Sequence, residues 1–519
     1  MEKEILNKLE HWTEKEIDSI LEHDGTPLWA YYKQMFLTNN FHNRYFNYSL
    51  KNLKERIEKK EKKSKKLISL VTRKAIVANE IIKRIIRKRH KKNTDFGPKV
   101  LFLTQADKVM EDKKVLKFGN LIEKTKEAGI SSWVLSYEPI EKNTGKKLLK
   151  QDHMIYEYVD SILLKKVKEK TKELNKKWKT ISKEKKWELL KINEDSIYPY
   201  LKDELNFLFS KEFIFMVLLY YEAYKKILVE ENIKLVCAQG AGTIYPKALF
   251  SAANRLHIPS LIIQHGICFG YLEYDLLKDT VFSVFGQKSK EELLEKGFKE
   301  NKIVITGASI FEETSNYIGL PTEEDKITIM TNGFYIYGLL SQEEYFGHID
   351  RWLKQIRQEL PQKKILLKLH PEEKEYIEKY QEIIKRYDDI EVTAKAGKEF
   401  LYSTMINSSI IINFASTVAL EAMILDKPVI TISDLHSSPI LEFDLVIKRI
   451  MNSGASINVS KQDNMGEKIK EVLNNLKRLK ELSIARKKFV QESCYKLDGK
   501  ASERIVQVIK ERINMKSIT

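Results

Sequence analysis

Two histidines stand where apolar runs stop, in PSLIIQHG (259–266) and KILLKLHP (364–371). The residue before a proline is pushed out of the helical region into extended geometry, so His370, ahead of Pro371, is fixed at a strand end. Open α/β sheets hold their ligands at that edge. A neutral imidazole placed there can accept or give a proton, or donate to an anion. Gln264, His265 and Gly266 close the other run in the same way. A third run, SIIINFAST (409–417), ends in Ser416 and Thr417 and passes directly into VALEAMIL, whose first-turn amides have no partner within a helix. Hydroxyls and amides converging at such a turn suit a phosphate, and capping of the helix accounts for the same two residues. Glu421 lies four residues beyond Thr417 on the same helical face, within reach of the hydroxyls of a sugar attached to that phosphate. Gly240 and Gly242 in AQGAG, and Asn332 and Gly333 in TNGFYIYG, are further strand-end residues placed to line a cleft. A tight strand-to-helix turn explains the glycines equally well.

The elements that must carry these residues fall into two series. KVLFLTQ (99–105), SSWVLSYE (131–138), KLVCAQGAG (234–242), PSLIIQHG and TVFSVFGQ (280–287) alternate with helical stretches, the beat of a parallel sheet. KIVITGAS (302–309), KITIMTNG (326–333), KILLKLHP, IEVTA (390–394), SIIINFAST and KPVITIS (427–433) follow. Each is a continuous apolar run, as strands buried on both faces are. The expected fold is α/β: two Rossmann-like, doubly wound domains facing across a cleft. A basic helical region spans 1–96 and ends at the loop formers Asn93, Asp95, Gly97 and Pro98. The first domain is expected over 97–295, with a lysine-rich helical insertion at about 143–232, and the second over 296–465. Helices over 464–488 and 500–515 fill a C-terminal segment, 466–519. A length of 519 residues agrees with roughly three structural units.

Composition narrows the class. With 43% hydrophobic residues the chain can bury real cores. Cys237, Cys268 and Cys494 have no metal-ligand spacing and cannot form a disulfide framework, which fits a reducing cytoplasm. The N-terminus has no secretory pattern, and FIFMVLLYY (213–221) is half of the roughly 18 residues that span a bilayer. The net charge of +17 is local: residues 51–92 hold 18 Lys and Arg against 4 Glu, a surplus of 14. Ile81, Ile82, Ile85 and Ile86 share a helical face there, flanked by Lys83, Arg84, Arg87 and Lys88. Such a helix either adheres to anionic lipid headgroups or packs by its isoleucines on the next domain. Nucleic-acid binding is disfavoured, because no aromatics are interleaved for base stacking.

The order QHG, TGAS, KLHP and NFASTVALEAMILDKPVI resembles bacterial glycosyltransferases of the GT-B type. It is most similar to enzymes of surface and capsular polysaccharide synthesis, and related to CDP-glycerol glycerophosphotransferases and Kdo- and sialyltransferases. The likeness covers about 230–435. It implies that a nucleotide-activated sugar binds mainly to the second domain and the acceptor, a glycan or lipid-linked glycan, mainly to the first. His370 would then contact the donor phosphate and share in catalysis, with Ser416 and Thr417 on the same group, Glu421 on the ribose and His265 as general base. Asp426 stands where many relatives have glycine before the Lys-Pro pair, and Ile267, Cys268 and Phe269 replace the basic residue that follows HG in the glycerophosphotransferases, which argues against CDP-glycerol as donor. No aspartate pair has metal-binding geometry, so transfer without a metal or further cofactor is expected. The leading expectation is a cytoplasmic, peripherally membrane-bound glycosyltransferase held at the inner face by residues 51–92. The alternatives are a sugar-nucleotide epimerase of the same build and a non-catalytic scaffold docking on membrane or nucleic acid.

Overall fold

The structure is a computed structural model of the chain and describes residues 2–14, 16–38, 57, 99–104, 118–137, 153–269, 272–336, 340–414, 416–435 and 441–514. Apart from Ile57, the basic segment 51–92 lies outside the described residues.

The first sheet is built from β1 (Lys99–Thr104), β2 (Ser131–Ser136), β3 (His153–Met154), β4 (Ile233–Ala238), β5 (Ser260–Ile263), β6 (Val281–Val284) and β7 (Ile303–Ile305), in the spatial order β7-β6-β5-β4-β1-β2-β3. The second contains β8 (Lys326–Met330), β9 (Ile365–Lys368), β10 (Ile390–Thr393), β11 (Ser408–Asn413), β12 (Val429–Ile432) and β13 (Ile457–Val459), ordered β10-β9-β8-β11-β12-β13. Every pairing in both is parallel. Both are therefore the doubly wound α/β arrangement that the strand runs predict. The order of strands reverses between β1 and β4 in one sheet and between β8 and β11 in the other. A crevice opens at the carboxyl ends of the strands on each side of such a reversal.

Parallel strands need both faces covered, which explains why these runs are apolar throughout. Helices Lys211–Glu230 and Ile244–Arg255 cover one face of the first sheet, and Leu121–Glu127 with Ala501–Asn514 cover the other. The last helix thus leaves the second domain and returns to the first, where Ile505, Val506 and Ile509 pack with Val100, Phe102 and Leu235.

Three expectations need correction. KIVITGAS does not open the second series: Ile303–Ile305 pairs with β6 at the edge of the first sheet, so the first sheet extends past residue 295. Edge and central strands share the same apolar pattern, and chain order alone cannot assign them. The described part of 1–96 is no separate region, since Trp12, Trp29, Tyr31 and Tyr32 are buried in the first domain's core with Phe209 and Phe213. The stretch 143–232 is likewise integral: it supplies β3 and the covering helix Lys211–Glu230. Sequence reading also passed over β13 and the break at Asn474–Asn475 that separates helix Met465–Leu473 from Leu476–Cys494.

Candidate functional site between two strand edges

In the second domain, His370 follows β9, Asn332 and Gly333 follow β8, and Ser416 and Thr417 follow β11. Since β9 and β11 flank β8, the topology brings these residues to one edge, with the outer two strands about 10 Å apart. Hydrogen bonds join them. Asn332 Nδ2 donates to the Phe414 carbonyl at 3.0 Å, across the reversal point between β8 and β11. The Thr331 hydroxyl accepts the His370 backbone N–H at 3.1 Å and itself donates to Glu373. Glu373 is fully buried, accepts the same His370 N–H at 3.2 Å and receives the Tyr380 hydroxyl; burial holds its carboxyl above the usual range.

His370 opens a short 3₁₀ turn, Pro371–Tyr376, at φ −61° and ψ 144°, the extended geometry expected before proline. Its Nδ1 accepts the Glu372 N–H at 3.3 Å. An accepting Nδ1 leaves the proton of the neutral ring on Nε2, the form that donates to an anion.

Ser416 and Thr417 are half-buried at the start of helix Val418–Ile424. The Ser416 hydroxyl accepts the Val418 N–H at 3.4 Å, while Thr417 makes no capping bond through its side chain. The helix has seven residues, so the hydroxyls carry more of any anion contact than its dipole does. Glu421 is half-buried, receives the Tyr402 hydroxyl at 3.4 Å, and is pushed up to about 7 by desolvation, against the pull of Lys398. Asp426 adopts the left-handed conformation that glycine favours, at φ 55°, and its carboxylate pairs with the buried Arg486 at 2.7 Å.

In the first domain, His265 follows β5, beside the Gly240–Gly242 loop after β4. Its Nδ1 faces the Gln239 carbonyl. A carbonyl can only accept, so Nδ1 carries the proton and the neutral ring keeps its lone pair on Nε2. This is the base form, the opposite of His370. Gly240 lies against the ring, where a Cβ would come within 3.4 Å of Cε1; Gly242 is half-buried just before helix Ile244–Arg255.

Two residues expected to line the cleft do other work. Gln264 is buried and fully engaged: Nε2 donates to the Gly266 carbonyl at 2.7 Å and to Ser289 at 2.8 Å, and Oε1 accepts the Phe285 N–H at 2.7 Å. Asn332 is buried and bridges strands. Gly333 is required by packing, since a Cβ there would meet Ile336 Cδ1 at 2.7 Å and Glu373 Cγ at 2.9 Å. Sequence reading missed Glu373, although its spacing of three from His370 is that of a capping box, which the turn forms. It also missed Arg449, for which no local signal exists.

Among the described residues, one His/Asp/Glu cluster has ligand atoms within 4.8 Å of one another: His23, Asp24 and Glu222. It joins the N-terminal segment to helix Lys211–Glu230, and its carboxylates are paired with Lys225 and Lys166. Two ammonium groups already neutralise it, so the donor set does not fit a cation. No helix among the described residues is long and apolar enough to cross a membrane.

A family model described as UDP-N-acetylglucosamine 2-epimerase matches residues 280–510, a stretch that holds the second sheet together with β6 and β7 of the first. No curated protein matches the chain. Among solved structures the chain is similar to S. aureus MnaA with UDP (14% identity, 80% of this chain and 97% of that one, TM-score 0.49). It is also similar to Neisseria meningitidis UDP-GlcNAc 2-epimerase bound to UDP-GlcNAc (15%, 80% and 100%, 0.49) and to Acinetobacter baumannii MurG (13%, 80% and 100%, 0.47).

Proposed function

We propose that the chain binds a UDP-sugar along the second-domain edge and inverts a carbon centre of the sugar, as an epimerase. Ser416, Thr417 and Nε2–H of His370 would hold the diphosphate, and Glu421 the ribose hydroxyls. The observation that carries the reading is the opposed pair of imidazoles, His265 with a lone pair on Nε2 and His370 with a proton there. Inverting a carbon that bears hydrogen breaks a C–H bond, which calls for a base, and the diphosphate beside it calls for a hydrogen-bond donor; the proton that returns on the other face comes from solvent. The match of residues 280–510 to an epimerase family supports this order of readings.

A second reading, transfer of the sugar to a surface or lipid-linked glycan, is favoured by the placement of His265 on the first domain, where it can deprotonate an acceptor hydroxyl while the nucleotide leaves from the other. Attachment to an anionic inner-leaflet surface through residues 51–92 belongs to this reading. Release from anionic vesicles by salt would support it, and binding indifferent to salt would count against it.

One experiment separates the two. The protein is incubated with UDP-GlcNAc alone in D2O and followed by proton NMR. Epimerisation gives the 2-epimer with deuterium at C2, because solvent supplies the returning proton. Turnover that needs an added acceptor selects transfer. Neither turnover nor UDP binding would defeat both readings.

A further inference from the structure

We infer that Arg449 and Glu292 form a positioning pair that sets the loop carrying His265, so that the base is in place only while the second domain is docked on the first. The inference rests on the reading of His265 as the base of the proposed function.

Arg449 belongs to helix Leu441–Asn452, between β12 and β13 of the second domain, and reaches into the first. One guanidinium nitrogen donates to the Ile267 carbonyl at 2.6 Å, and the other meets Glu292 Oε2 at 2.9 Å. Glu292, on helix Gln287–Glu295, turns its second oxygen to the Phe269 N–H at 3.0 Å. The stretch 266–269 is therefore gripped at Gly266 by Gln264, at Ile267 by Arg449 and at Phe269 by Glu292.

Two of these grips are charge-assisted and largely buried, with side chains 18% and 10% exposed for Arg449 and Glu292. Apolar packing repeats the arrangement, since Ile267 and Cys268 share a cluster with Val446 and Ile450, three residues before Arg449 and one after it. The planar guanidinium serves a carbonyl and a carboxylate at once; a lysine ammonium in its place could keep the charge and not the fork. Gln264 and the Gln239 contact are internal to the first domain, whereas Arg449 is a polar grip through which the second domain acts on the loop.

The test uses the full chain and the variants Arg449→Gln, Arg449→Lys and Glu292→Gln. Kinetics with the UDP-sugar are expected to show kcat at least tenfold lower in Arg449→Gln, an intermediate loss in Arg449→Lys, and KM and UDP affinity within twofold of wild type. The 15N and 1H signals of the His265 ring are expected to move in Arg449→Gln and Glu292→Gln while those of His370 stay. The ring signals are read without substrate, so they test the pair even if the proposed reaction is absent. Glu292→Gln keeps the Ile267 contact and guards against a folding defect in the arginine variants. Unmoved His265 signals, or kcat within twofold of wild type in Arg449→Gln, would overturn the inference.

Discussion

The two histidine turns solve one problem in different ways. The His370 turn is held by its own neighbourhood: Glu373 three residues on, Tyr380 ten residues on, and Thr331 from the adjacent strand. The His265 loop is held partly from within its domain, by Gln264, by Gln239 after the adjacent strand and by Glu292 on the following helix, and partly by Arg449 from the other domain. The donor at 370 is thus preformed in one domain, whereas the base at 265 depends on assembly of two. A pre-organised binding edge beside a base completed by docking would let nucleotide bind first and chemistry follow.

That contrast can be broken at either turn. His265→Ala is expected to lower kcat by about 10²-fold or more, the usual worth of a positioned acid or base, while calorimetry finds UDP affinity unchanged. Glu373→Ala leaves the Thr331 and Tyr380 hydroxyls and the His370 N–H without their shared acceptor. A loss of about 3 kcal/mol is expected in urea unfolding, together with weaker UDP binding. His265→Ala should not show that binding defect, which sharpens the division of labour.

Glu421 offers a test by pH. Its folded pKa of about 7 stands above the ordinary 4.5, so across that interval the folded chain keeps a proton the unfolded chain has released. Its contribution to stability is complete below about 4.5 and is lost as pH rises towards 7. Melting temperature in Glu421→Gln is expected to lack that part of the fall. Equal slopes in both proteins would place the carboxyl in water. The smallest effect is expected at Asp426→Gly. Removing the left-handed side chain relieves about 1 kcal/mol, but a buried Arg486 without its carboxylate costs more, for a net loss of about 2 kcal/mol by thermal unfolding.

The fold was legible because parallel strands buried on both faces leave continuous apolar runs, and those runs end in the polar residues that the sheet aligns. The edge strand β7 was misassigned because its run looks like any other, and the N-terminal helices seemed separate because their tryptophans and tyrosines find partners some 180 residues away. At the site, strand-end residues were readable and side-chain direction was not. Gln264 and Asn332 turn inward to satisfy buried donors and acceptors, which residue type and position alone do not reveal. Glu373 had a local signature in its spacing from His370. Arg449 acts across 182 residues of sequence, where no pattern reaches.

The direct measurement is the protonation pattern of the two rings in the resting protein, read by long-range 15N–1H NMR with each histidine assigned by substitution. Opposite tautomers are expected, with the neutral proton on Nδ1 at His265 and on Nε2 at His370. The same tautomer at both, or the reverse assignment, would leave the cleft without its base and donor and would contradict the proposed chemistry.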